Sequence, residues 1–392
     1  MCVNFDLNSV FCNLGSWFLV LSSFMISRHI VLSAINIYQS GMLTIARDFL
    51  SQLCQTPAFQ RGEIRVTLFC HRADLYRDLQ QANVTLIEKP RSRQSWGIRL
   101  FYEYVYFWFW SLNQTVDTWI SLHDVSPNVR ARRRVVYCHN PMPFYRGSIS
   151  ARYDLKLKLF QWLYTFNYQT NLHKNRHIIV QQQWMREAFV QFYACDPAKM
   201  IVAPPQTVFS QPAQSPSPNV QSSTLNLIYP TFPRTYKNYE VILAAMRLLV
   251  DTPLRLILTV APEMNAYAGM LAAKYADLPN VAWVGFQSRQ QVETQYAEAA
   301  AMVFPSKSET WGLPMSEFQR YDKPIFAADL PYAKETLSGY DHAVFLDPDD
   351  VPAWAEALRM FATKGEYHST RVITHYPPPF APNWQALMEL VL

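Results

Sequence analysis

The stretch Phe304-Pro-Ser-Lys-Ser-Glu-Thr-Trp-Gly-Leu-Pro-Met-Ser-Glu317 decides how this chain is read. Four apolar residues, Ala301–Phe304, run into it and read as a buried strand. The loop after them carries Glu309. Gly312-Leu313-Pro314 then opens a helix with proline in its first turn, where the missing N–H costs nothing. Such a turn leaves main-chain N–H groups and the positive helix end beyond the strand, which suits a diphosphate. Glu317 falls about one turn into the helix, where its carboxylate can accept from vicinal hydroxyls such as those of a ribose. Glu309, ahead of the helix, is placed to hold a second polyol. Ordinary capping is the competing reading of the pair.

Outward from this segment the same alternation repeats. Short apolar runs at 30–36, 65–69, 84–87, 119–122, 135–137 and 178–181 form one set; runs at 225–229, 256–260, 281–284, 301–304, 324–327 and 343–346 form a second. Each is nearly continuous in hydrophobicity, as parallel strands covered on both faces are. The stretches between them are amphipathic: Met42, Ile45, Ala46, Phe49, Leu50 and Leu53 share one helical face, as do Val241, Ile242, Ala245, Leu248 and Leu249. Residues 204–224 hold five prolines among serines and glutamines, the composition of a linker. The expected fold is α/β: two doubly wound Rossmann-like domains facing across a crevice. The boundaries read as an N-terminal extension (1–27), a first domain (28–203), the linker (204–224), a second domain (225–375), and a strap and short helix (376–392) returning to the first domain.

Composition agrees with this reading and excludes others. Of 392 residues, 50% are hydrophobic and 17% charged, so neither disorder nor a coiled coil describes the chain. A formal charge of +5 suits anionic small ligands or an acidic membrane face but is no nucleic-acid signature. Six scattered cysteines offer no Cys-x-x-Cys spacing, which argues against zinc or a redox dithiol and for a reducing cytosol. No Gly-x-Gly-x-x-Gly comes after the first strand and no Gly-Lys-Ser/Thr loop occurs, so dinucleotide and P-loop readings lose their support. The uncharged run 10–26 sits at the lower limit for spanning a bilayer; a soluble or interfacial extension is expected there rather than a signal-anchor.

Glu309-x7-Glu317 around Trp311-Gly312-Leu313-Pro314 resembles the signature of GT-B glycosyltransferases of family 4, which are retaining and metal-independent. The likeness continues through Val281-Ala-Trp-Val-Gly-Phe286, through Lys323-Pro-Ile-Phe-Ala-Ala-Asp-Leu-Pro-Tyr-Ala-Lys-Glu335 and through Tyr229-Pro-Thr-Phe-Pro-Arg-Thr-Tyr-Lys-Asn238. In the first domain it includes Leu122-His-Asp124 and Val136-Tyr-Cys-His-Asn-Pro141. The resemblance implies that Glu317 binds ribose, that Glu309 contacts the transferred sugar, and that Lys237 neutralises the leaving diphosphate. Arg234 stands in for an arginine usually found where this chain has Thr231. His139 matches the sugar-facing histidine. Trp311, Gly312, Leu313, Gly285 and Phe286 belong to the donor site, and Ser40-Gly41 align with the first-loop diphosphate contact. Asp347-Pro-Asp349-Asp350 contains Asp-x-Asp, but Asp350 is expected to cap a helix at 351–361 rather than to bind metal.

The resemblance implies a hexosyltransferase, with mannose the foremost candidate. Its donor is a nucleotide diphosphate sugar and its acceptor a glycan or lipid-linked molecule, in bacterial surface polysaccharide synthesis, with no cofactor and no nucleic-acid partner. Basic and aromatic residues in 101–110 and 154–168, with Arg130, Arg132, Arg133, Arg134, Arg146 and Arg152 nearby, read either as core plus a solvated face or as a contact with an anionic inner membrane. The chain is then cytoplasmic, or peripheral on that membrane. A sugar-nucleotide epimerase or phosphorylase on the same fold, and a non-catalytic glycan-binding or partner-binding protein, remain as alternatives.

Overall fold

Every strand of this chain whose register is defined pairs in parallel. The structure, a computed structural model, describes residues 27–38, 40–147, 151–206 and 224–392. The run 10–26 and most of 204–224 therefore lie outside the described residues.

Seven strands form one sheet: β1 (Arg28–Ala34), β2 (Ile64–Cys70), β3 (Val84–Glu88), β4 (Thr118–Ser121), β5 (Arg133–Cys138), β6 (His177–Val180) and β7 (Met200–Val202), in the order β3-β2-β1-β4-β5-β6-β7. Six form the other: β8 (Leu225–Tyr229), β9 (Leu254–Leu258), β10 (Val281–Trp283), β11 (Ala301–Phe304), β12 (Ile325–Ala328) and β13 (Ala343–Leu346), in the order β10-β9-β8-β11-β12-β13. The expected α/β class with two Rossmann-like parallel sheets is thus the one observed. All twelve expected strands form. The thirteenth, β7, is three residues long and runs straight into Ala203-Pro204-Pro205, where the sequence reads as linker.

The described residues fall into two compact units. One holds those up to His123, with Pro127–Val135 and Leu392; the other holds Asp124–Ser126 and Val136–Val391. In the second unit, all four side chains of β11 are fully buried, in a core shared with the helices Tyr239–Arg247 and Val351–Lys364. Helix periodicity holds for Val241, Ile242 and Ala245, which are buried; Leu248 falls beyond the helix end at Arg247 and is exposed, contrary to its assignment to the apolar face. Further along this unit, Phe380 bridges Val202, and Ala381 N–H donates to the Val202 carbonyl at 2.9 Å, so the tail runs beside β7. The first unit has its own aromatic core, in which Phe69, Phe107 and Trp119 pack together.

In a doubly wound sheet the order of connections reverses at one point, and the loops leaving the two strands there diverge to make room for a ligand. In the six-stranded sheet that point lies between β8 and β11. The loops it serves are those carrying Lys237 and Glu309.

Candidate active site

Local hydrogen bonds fix both loops at this switch point. After β8 the chain makes a tight turn, Thr235–Lys237, whose last carbonyl accepts from the Tyr229 hydroxyl at 2.6 Å. Asn238, in the left-handed region at φ 57°, starts the helix Tyr239–Arg247 and donates its amide to the Pro305 and Pro348 carbonyls. Lys307 N–H in turn donates to the Tyr236 carbonyl at 2.8 Å. Laced in this way, the loops bring Lys237 Nζ against Glu309 Oε1 as an ion pair with both side chains largely shielded, 13% and 14% exposed. Burial alone would lower the Lys237 pKa, but the Glu309 carboxylate outweighs it and holds the ammonium above its ordinary value.

Gly312 begins the helix Leu313–Phe318 at φ 81°, a conformation that disfavours any side chain. A Cβ there would also meet Met315 Cε at 2.7 Å. Trp311 is braced rather than free: its indole N–H donates to Ser316 Oγ at 2.7 Å and its carbonyl accepts from Thr336 Oγ1. Glu317 lies one turn on, half-buried, paired with Arg289 and accepting from the Tyr296 hydroxyl at 3.0 Å. Arg289 opens the helix after the β10 turn, so Gly285 and Phe286 are tied to Glu317 through it. Gly285 has φ 74°, and Phe286 is 83% exposed.

The exposed Arg234 guanidinium lies over the Phe232 ring, 5.3 Å from the centroid, and the Arg234 carbonyl accepts the Lys237 main-chain N–H at 2.9 Å. Thr231, at the position where the resemblance would put an arginine, is buried and bonded to the Tyr239 hydroxyl at 2.7 Å.

A pocket of about 300 Å³ adjoins Glu309 and is walled by Tyr145, Arg146, Trp184, Tyr332 and Asp349 among others. Two of its walls are joined by a set of bonds that sequence reasoning missed. Glu335 accepts the N–H groups of Gln183 and Trp184, at 2.7 and 2.8 Å, and so caps the helix Gln183–Tyr193. Buried Gln182 donates to the Tyr332 carbonyl and to Thr336 Oγ1. Burial raises the Glu335 carboxyl to about 7 against the pull of the two amides.

In the seven-stranded sheet, His139 comes just after β5 and is buried, its ring stacked on Tyr137 with centroids 4.3 Å apart. Gln181 Nε2 stands 3.0 Å from its Nδ1. Asp124, at φ 74°, accepts from the N–H groups of His139 and Asn140 and from the Tyr168 hydroxyl, so it organises this loop. His123 is enclosed: Ser33 Oγ lies 2.9 Å and Glu103 Oε1 3.3 Å from its Nε2. Ser40 and Gly41 begin the helix Ser40–Gln55 in the other unit. Asp350 caps the helix Val351–Lys364 through Ala353 N–H at 2.9 Å, and Asp349 pairs with Lys307, so this Asp-x-Asp is engaged in local structure. Cys54, Cys70, Cys138 and Cys195 are buried free thiols; burial pushes Cys54 and Cys195 up to about 11 and Cys70 to about 12, which leaves them unreactive near neutrality. Cys2 and Cys12 lie outside the described residues.

Arg289, Tyr296 and Glu335 are the site residues the sequence did not expose. Arg289 sits in a mostly polar helix, where its i,i+4 pair with Glu293 reads as a solvated face, and its other partner, Glu317, is 28 positions away.

The family model described as glycosyl transferases group 1 matches residues 215–372 of this chain. The O-antigen chain mannosyltransferase RfbU of Salmonella typhimurium strain LT2 is 31% identical over 72 residues, a match spanning 18% of this chain and 20% of that protein. Among solved structures, WaaG, a glycosyltransferase involved in lipopolysaccharide biosynthesis, superposes with TM-score 0.61 at 14% identity, covering 86% of this chain and 91% of WaaG. Sucrose-phosphate synthase from Thermosynechococcus elongatus gives 0.58 at 13% identity, with 86% and 90% covered. The chain thus has the GT-B fold, and its residues 215–372 are similar to the glycosyl transferases of group 1.

Proposed function

We propose that this protein is a retaining hexosyltransferase that takes a nucleotide diphosphate sugar as donor, with mannose the first candidate, and a glycan or lipid-linked molecule as acceptor. The observation that carries the proposal is the Lys237–Glu309 pair beside the glycine-started helix that bears Glu317. In this reading the anomeric carbon–oxygen bond breaks and its electron pair leaves with the diphosphate, through an oxocarbenium-like state. Lys237 and the main-chain N–H groups at Gly312 and Leu313 stabilise that charge where it develops. Glu309 holds the sugar and Glu317 the ribose, with Arg289 and Tyr296 fixing the Glu317 carboxylate. The acceptor oxygen bonds on the face the diphosphate leaves, and its proton passes to the departing phosphate oxygen, so no protein nucleophile and no divalent cation is required. The named activity of the Salmonella relative supports mannose and a surface polysaccharide as first choices.

A lipid-linked acceptor would be met at a membrane surface. Among the described residues no helix is long and apolar enough to cross a membrane. Each unit does carry an exposed apolar stripe: Phe101, Val105 and Phe109 in one, and Leu155, Leu159, Trp162 and Phe166 in the other. Arg130, Arg132 and Arg133 in the first unit and Lys158 in the second are exposed as well, basic residues of the kind that suits an anionic leaflet, Arg132 being paired with Asp117.

The test is transfer from a panel of uridine and guanosine diphosphate hexoses to polyprenyl-linked glycans, with and without EDTA, the product anomer read by NMR. Transfer with retained configuration, indifferent to EDTA, is expected. An inverted product, or donor conversion without acceptor, would overturn the proposal.

A further inference from the structure

Arg65, Arg130 and Arg132 line one cavity of about 920 Å³ at the amino ends of strands in the seven-stranded sheet, and none of them enters the transfer chemistry above. The cavity lies wholly in the unit that does not hold Lys237 and Glu309. Local packing puts the arginines there. Val129 is buried in the aromatic core of this unit and Ala131 packs against it, so along this extended segment the alternate residues, Arg130 and Arg132, are turned away from that core. Arg130 N–H donates to Ser111 Oγ at 2.8 Å and Arg132 N–H to the Val116 carbonyl at 3.1 Å, which fixes the segment. Arg65 is the exposed residue between buried Ile64 and Val66 at the start of β2. The lining thus sets three guanidiniums against one carboxylate, Asp117, a net charge of +2. Asp117 is already engaged: its Oδ2 accepts the His29 N–H at 2.8 Å and its Oδ1 the Arg132 guanidinium at 3.2 Å. Among the described residues no carboxylate pairs with Arg65 or Arg130, whereas exposed Arg61 and Arg72 of the same unit pair with Glu63 and Asp74. A recess lined by one sign of charge focuses the field and concentrates counter-ions.

We propose that this cavity is an anion site separate from the donor site, in which Arg65 and Arg130 hold a phosphate-bearing ligand and Arg132 joins them by exchanging Asp117 for phosphate. It rests on nothing in the transferase reading. A guanidinium presents paired N–H donors that match phosphate oxygens. The volume is more than a single phosphate fills and falls in the range of ligand pockets. Leu112, exposed in the wall three residues after Phe109, puts an apolar contact beside the charges. Phosphate with an apolar neighbour is the chemistry of a phospholipid headgroup; a free diphosphate offers the same oxygens without the apolar part.

The experiment measures binding without turnover, of inorganic pyrophosphate by calorimetry and of vesicles by sedimentation. The vesicles are equal parts phosphatidylglycerol and phosphatidylcholine, or phosphatidylcholine alone. The full chain carrying Lys237→Ala serves as parent, so that the donor site contributes little. Binding of pyrophosphate identifies phosphate itself as the ligand, and binding of phosphatidylglycerol vesicles alone identifies the lipid source; phosphatidylcholine alone should bind neither parent nor variants. In whichever arm binds, Arg65→Gln and Arg130→Gln should each weaken affinity about threefold, and together about tenfold. Both arginines are exposed, so these variants should keep the parent's melting temperature. Asp117→Asn, which releases Arg132, should tighten binding about twofold, a direction that damage to the fold does not give. Absence of saturable binding in both arms would overturn the proposal. So would an affinity unchanged when Arg65→Gln and Arg130→Gln are combined, or weaker binding in Asp117→Asn at an unchanged melting temperature. A chain that binds the anion here but transfers nothing keeps this site and loses the transferase reading instead.

Discussion

Lys237 and Glu309, 72 positions apart in sequence, form one shielded ion pair because the loops leaving β8 and β11 diverge from neighbouring strands and are then laced together by the Lys307 N–H to Tyr236 carbonyl bond. A cation placed at such a point, next to the start of a helix, is where an expelled diphosphate would find compensation. The pair also keeps each charge satisfied, which matters because an unpaired charge in this setting is costly.

The first prediction concerns that pair. Lys237→Ala should lower turnover by about 10²–10³-fold, the usual loss for one donor to a developing anion. Glu309→Gln, which keeps size and removes charge, should lower transfer while far-UV circular dichroism stays unchanged. Steady-state kinetics on both variants checks this; wild-type turnover in both would remove the pair from the mechanism.

Glu317 leans on Arg289 and Tyr296. Glu317→Ala should raise donor KM more than it lowers kcat, because ribose binding is common to ground and transition states. Arg289→Ala should raise KM in the same direction by a smaller factor. Since Arg289 is 59% exposed, its loss should cost no more than about 1 kcal/mol of stability. Urea melts set against donor KM values separate the two effects.

Gly312→Ala tests the backbone. A residue with a side chain at φ 81° should cost about 1–2 kcal/mol, the usual penalty for the left-handed region. The contact with Met315 Cε adds less, since a methionine end can move. The expected result is a lowered melting temperature with an even larger loss of transfer, because the N–H groups at Gly312 and Leu313 turn with the backbone.

How far the site could be read in advance depends on how local each signal is. The Glu309–Glu317 segment was legible because strand, glycine, proline and glutamate lie within one short stretch, and the twelve recognised strands were legible as apolar runs. Cooperation between distant elements was not. Gln183–Tyr193 lacks a side-chain cap of its own and takes one from Glu335, 152 positions away; no spacing rule announces that. Nor does any spacing announce that Glu103, on a π-helical turn at Tyr102–Tyr106, closes over His123. The aromatic run 101–110 was ambiguous because it serves both purposes: Phe107 packs on Phe69 and Trp119, while Phe101 and Phe109 face outward.

Glu335 also makes a pH prediction. Burial, with Glu187 adding to it, raises its folded pKa to about 7 from an ordinary 4.5. The folded chain therefore holds this proton more tightly than the unfolded chain does. The stability it contributes is fully present below pH 4.5 and is lost as pH rises through 7. Glu335→Gln should flatten that part of the melting-temperature profile. It should also cost about 1–3 kcal/mol, because an amide has one acceptor for two N–H groups. An unchanged slope between pH 4.5 and 7 would contradict the assignment.

The most direct test of a cationic diphosphate site at Lys237 is calorimetric titration of uridine and guanosine diphosphate into the wild-type chain and Lys237→Ala, in EDTA. A hydrogen bond to a charged group contributes about 1.5–3 kcal/mol. One of the two diphosphates should therefore bind the wild type, with an affinity that falls at least about tenfold in the variant. Equal affinity for both proteins would contradict the assignment of Lys237 to the leaving group.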